Sequence, residues 1–74
     1  MERLHGYVSE CDKSKKSFGV RLKKEAHPHH RLNGKEIPVE HVESGVSLKL
    51  FESVTFTVSN FSGYTRARDV RLAN

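Results

Sequence analysis

The residues best able to do chemistry lie close together. The segment KSKKSFGVRLKKEAHPHHR, from Lys13 to Arg31, holds seven of the thirteen Lys and Arg residues of the chain and three of its five His, with Glu25 as its only acid. A run of this kind can meet the phosphates of a nucleic acid, where it supplies sequence-independent attraction. It can also offer imidazoles to a metal, or do nothing more than solvate the edge of a hairpin.

Metal is the weaker use of these histidines. A closed zinc site takes four ligands at defined spacing, and Cys11, His5 and His41 do not complete a set with His27, His29 and His30. Pro28 stiffens the segment, so HPHH reads as an exposed, solvated loop with no metal and no cofactor. Cys11 has no neighbouring base to activate it and reads as a small buried or half-buried hydrophobe. As the single cysteine it has no disulfide partner, which fits a reducing compartment, the cytoplasm or the nucleus. Glu40 and Glu43 could act as general acid and base only inside a pocket, and read instead as surface solvation. No catalytic residue is assigned, and the chain is expected not to be an enzyme.

A chain of 74 residues is expected to form a single domain over 1–74, burying about 60% of its unfolded surface. With 30% charged, 35% hydrophobic and 8% aromatic residues, its composition is that of an ordinary globular domain, not of a disordered tail. No apolar run is long enough to span a membrane or to form the core of a signal peptide. The net charge of +4 is modest, but it is clustered. Glu36, Glu40, Glu43 and Glu52 make the middle acidic, and Arg66, Arg68 and Arg71 turn the tail basic again.

The elements that must position these groups read as strands. SVTFTVS alternates Val54, Phe56 and Val58 with Thr55, Thr57 and Ser59, a period of two in β-branched and aromatic residues. FGVRLK repeats the pattern, with Phe18, Val20 and Leu22 on one face and Gly19, Arg21 and Lys23 on the other. RLHGYVSE turns Leu4 and Val8 inward around Gly6, where a missing side chain allows another strand to approach closely. EIPVEHV offers Ile37 and Val39 beside an edge-forming Pro38. YTRARDVRL sets Ala67, Val70 and Leu72 at a spacing that demands a bulge near Asp69. Asp12 to Ser17, Asn33-Gly34 and Ser62-Gly63 are turns. VESGVSLKLFESV is cut by Gly45 and holds at most one helical turn. Five short strands predict a small, nearly closed antiparallel barrel, with Leu4, Val8, Val20, Leu22, Val39, Val54, Phe56, Val58, Ala67 and Val70 as its core.

The order GYV at Gly6 to Val8, KSFG at Lys16 to Gly19, EIPVEHV, and SVTFTVSNFSGYTRARDV resembles the plan of a cold-shock domain over nearly the whole chain. In that family a Gly-x-Val opens the first strand, a Lys-Gly-Phe-Gly-Phe motif forms the second and a Val-Phe-Val-His motif the third. A valine-rich strand, a Gly turn and an Ala-x-x-Val close the barrel. The resemblance implies an all-β, five-stranded, OB-fold-like barrel that stacks single-stranded nucleic acid on outward aromatics. It is strongest at Val54, Phe56, Val58, Gly63, Ala67 and Val70.

The departures fall in the motifs that bind. Glu10 and Cys11 stand where the family has a Trp-Phe pair, Ser17 replaces a Gly, Val20 replaces the second Phe, and Pro38 stands at an aromatic position. Phe18 is the surviving platform aromatic, and His41 is the counterpart of the family His. The family register turns Phe18 outward and Arg21 into the core; hydrophobic alternation does the reverse. Alternation is favoured, because burying Arg21 without a partner costs more than burying Phe18 gains. Tyr7, Phe61 and Tyr64 could stack bases or cap the core.

The function expected is a divergent cold-shock-type module that binds single-stranded RNA, with DNA as a second candidate, mainly through phosphates. Its site residues are Lys13, Lys15, Lys16, Phe18, Arg21, Lys23, His41, Tyr64, Arg66 and Arg68. The alternative is a monomeric cold-shock-like barrel that has lost RNA and contacts protein partners within a larger RNA-associated protein. No membrane partner is expected.

Overall fold

A computed structural model describes residues 3–12 and 14–73. Lys13, one of the expected phosphate contacts, lies outside the described residues. The strands are β1 (Leu4–Asp12), β2 (Ser17–Leu22), β3 (Ile37–Pro38), β4 (Ser53–Phe61) and β5 (Tyr64–Leu72). They form one sheet in the order β3-β2-β1-β4-β5, all pairs antiparallel. Past β3 the chain meets β5 through parallel bridges, Val39 to Ala67 and Val42 to Val70, which join the two edges. The result is a small β-barrel without unpaired edges along that seam. No described segment is helical; at Gly45 the backbone takes φ +85°, which ends the only helical candidate.

The period of two decides which side chains fill the barrel. Val8, Val20, Val54, Phe56, Ala67 and Val70 are fully enclosed, with Leu4 and Leu22 close behind. Arg21 faces outward, as alternation requires, and Phe18 is half-buried against the core beside Cys11. Two bulges adjust the curvature. At Ser9 the register slips, so that Val8 pairs with Val20 and Cys11 with Phe18, and both Val8 and Cys11 turn inward. The second falls at the expected place: Thr55 pairs with Arg71 but Thr57 with Arg68, and Asp69 takes φ +54°. Arg3 clamps that bulge, its guanidinium donating to the Asp69 carboxylate at 3.0 Å and to the Thr55 carbonyl at 2.9 Å.

The core differs from expectation at both rims. Val39 and Val58 are only half-buried, because Val39 sits at the bridged seam and Val58 lies past Phe56, the last β4 residue that pairs with β1. Leu32, Ile37 and Leu48 are buried in addition. Leu32 and Leu48 come from the connections on either side of β3 and β4, which fold back over the barrel.

Candidate nucleic-acid interface

The hairpin of β4 and β5 carries the most developed surface. Alternation turns Thr57, Ser59 and Phe61 outward on β4, directly across from Arg68, Arg66 and Tyr64 on β5. The connection has φ +52° at Ser62 and φ +79° at Gly63, the positive pair that a two-residue type I′ turn requires. This tight turn sets Phe61 opposite Tyr64 at the tip, where the rings are 81% and 63% exposed. The Arg66 guanidinium lies 5.2 Å from the Tyr64 ring centroid, a cation–π arrangement.

Two grooves run along this surface and share Ser59. One, of about 210 Å³, lies between Glu40, Phe61, Tyr64 and Arg66. The other, of about 290 Å³, lies between His41, Thr57, Arg68 and Asp69. The fold thus brings His41 onto the surface where Tyr64, Arg66 and Arg68 alternate along β5. Of the two acids at these grooves, Asp69 is bound by Arg3 and Arg71, and Glu40 pairs with Arg68 at 3.3 Å, with the Glu40 and Arg68 side chains about half exposed. An ion pair in solvent is weak and can give way to a phosphate.

The remaining expected residues lie elsewhere. Lys15 and Lys16 are exposed in the β1–β2 turn. Asp12 organises that turn, its Oδ1 accepting from the Ser14 hydroxyl at 2.7 Å and from the Ser14 and Lys15 N–H groups at 3.1 and 3.3 Å. The Ser14 hydroxyl, and after it the Lys15 N–H, hold the Asp12 carboxyl below its usual range. Phe18 borders an apolar groove of about 310 Å³ with Val42, Val46 and Leu48. Arg21 donates to the Gly34 carbonyl at 2.8 Å, and the Lys23 ammonium donates to the Ser53 hydroxyl.

The histidine loop departs from expectation. His29 is exposed, but His27 and His30 are half-buried. His27 Nε2 accepts the His5 N–H at 3.0 Å, and His30 Nδ1 accepts the Leu32 N–H at 3.1 Å. Both rings therefore pin the β2–β3 connection in place by accepting from backbone donors through a ring nitrogen. Among the described residues no three His, Cys, Asp or Glu side chains are placed to hold a metal ion. Cys11 is half-buried, its Sγ 3.7 Å from the Leu48 carbonyl.

Sequence reasoning leaves Phe61 open between base stacking and capping the core. The two-residue Ser62-Gly63 turn is the signal that locates it, since such a turn forces its flanking residues to face each other. Phe51, 72% exposed, has no such signal in the residues around it. No family model matches this sequence, and comparison with curated proteins and with solved structures finds no match.

Proposed function

We propose that this domain binds single-stranded nucleic acid, RNA foremost, on the outer face of the β4–β5 hairpin, as a divergent cold-shock-type module. The observation that carries the reading is the Phe61–Tyr64 pair, two rings held in solvent across a tight turn with Arg66 over one of them. Rings in water contribute little to stability here, whereas base stacking on an aromatic is worth about 1–3 kcal/mol per base. Bases stack on Phe61 and Tyr64, and Arg66 and Arg68 meet the phosphates. Lys15 and Lys16 add attraction that is blind to sequence. Titrating a labelled single-stranded RNA at rising salt tests this: binding in the micromolar range or tighter that weakens steeply with salt supports it, and no binding at low salt rejects it.

One observation favours a second reading, a barrel that contacts protein. Phe18, the surviving family aromatic, is turned partly inward and borders an apolar groove with Val42, Val46 and Leu48. The same titration separates the two readings, since a protein-binding barrel leaves RNA free.

A further inference from the structure

Phe51 adopts φ +67°, a left-handed backbone that strains any residue bearing a Cβ and suits glycine or asparagine. Its ring is 72% exposed, so burial does not offset that strain. The turn is held by its backbone: the Phe51 N–H donates to the Val8 carbonyl at 2.7 Å, and the Val8 N–H donates to the Glu52 carbonyl at 3.0 Å. Nothing in this arrangement needs an aromatic side chain. Backbone strain under an exposed ring points to a use for the ring outside the fold.

The ring has suitable company. With Tyr7, Lys23 and Lys24 it lines a surface groove of about 460 Å³, where Glu25 is the only acid. Tyr7 pairs with Arg21 on one side and with Ser53 on the other, so a third cation shares the same outer face. Two aromatics among cations suit a single strand, whose bases stack while its phosphates meet ammonium and guanidinium groups. An apolar protein segment has no use for those charges.

This groove is separate from the hairpin. It sits at Ser53, the first residue of β4, whereas Phe61 is the last of that nine-residue strand, roughly 25–30 Å away at strand spacing. Between them the charges satisfy one another: Arg3 and Arg71 both bind the Asp69 carboxylate, and Arg71 also faces Glu43 at 3.4 Å.

We infer that the groove between Phe51 and Tyr7 is a second single-strand nucleic-acid site, so that one domain holds two segments at once and can bridge strands. The inference rests on the reading that the hairpin binds a strand. It is tested by calorimetric titration with an oligouridine of about six nucleotides, within the site size of an OB barrel. The parent should take up two equivalents. Phe51→Gly relieves the strain and should melt no lower than the parent, yet bind one equivalent, the other weakened about fivefold or more. Tyr64→Ala should lose the opposite equivalent. Donor- and acceptor-labelled strands should be brought together by the parent and by neither variant. A parent that binds one equivalent, unchanged by Phe51→Gly, overturns the second site and leaves the hairpin reading standing. A single equivalent that disappears with Phe51→Gly but stays with Tyr64→Ala overturns both the hairpin reading and the two-segment claim. No uptake by the parent rejects both sites.

Discussion

Gly6 lies against the Phe56 ring: a Cβ at position 6 would stand 2.9 Å from Phe56 Cε1, and would also run into the carbonyl oxygen of Arg21 on β2. The absence of a side chain is what lets β1 cross the fully enclosed Phe56 while pairing with Leu22 on one side and Val54 on the other. Gly6→Ala should therefore destabilise the barrel, by about 1–3 kcal/mol as for other overpacked cores. Denaturant unfolding measures it, and an unchanged midpoint would show that the strands can part at no cost.

Phe18 tests the strand register. Because its ring packs on the core but keeps one side on the Val42–Leu48 groove, Phe18→Ala should cost about 1.5–3 kcal/mol, less than the roughly 3–5 kcal/mol of a fully buried Phe. A variant as stable as the parent that binds RNA poorly would return Phe18 to the outer face and to base stacking.

What could be read from the chain followed from whether a residue sat in a repeating pattern. Val54 and Phe56 alternate with Thr55 and Thr57, so strand, face and burial came together, and the broken spacing of Ala67, Val70 and Leu72 located the bulge at Asp69. Leu32 is a single apolar residue in a polar connection, and Leu48 alternates with Val46 and Leu50, of which one is half-buried and the other exposed, so the pattern does not single out the buried one. The bulge at Ser9 lies among Ser9 and Glu10, polar residues that register on neither face. Number and spacing speak only to the histidines as metal ligands, where they fall short, whereas the use of His27 and His30 as acceptors for the His5 and Leu32 N–H groups depends on how the loop folds back. Phe51 defeats sequence reading because its backbone conformation is one that local propensity assigns to glycine.

Lys15 and Lys16 project from the β1–β2 turn without an acidic partner among the described residues. Replacing both with Gln should weaken binding to every RNA sequence alike and reduce the logarithmic salt slope by about 0.7 for each phosphate no longer neutralised. Melting should stay within about 0.5 kcal/mol of the parent, as for other surface changes. An unaltered salt slope would remove the turn from the interface.

The same turn predicts an acid-sensitive contribution from Asp12. The Ser14 hydroxyl and the Lys15 N–H bind its ionised form, so its carboxyl titrates below its ordinary 3.8 in the folded state. The folded chain then holds this proton less tightly than the unfolded chain. The stabilisation is present above the ordinary value and is lost as pH falls through the lowered one. Asp12→Asn keeps an acceptor oxygen but no charge, so its melting temperature should fall less steeply than the parent's below about pH 4. Parallel acid limbs for the two proteins would show that the carboxylate charge is irrelevant to the turn.

The hairpin tip makes the sharpest division between stability and binding. Phe61 and Tyr64 are mostly in water, and neither belongs to the core, so Phe61→Ala and Tyr64→Ala should each alter stability by no more than about 1 kcal/mol, the upper range for a cross-strand pair. Each should nonetheless cost about 1–3 kcal/mol of RNA affinity if a base stacks on the ring. The salt slope should hardly change, because an uncharged ring neutralises no phosphate. Arg66→Gln should do the reverse, lowering the slope while leaving the rings in place. Should the aromatic variants bind as tightly as the parent while Arg66→Gln binds weakly, the hairpin holds RNA through phosphates alone. Should all three bind as the parent does, the strand lies elsewhere on the barrel.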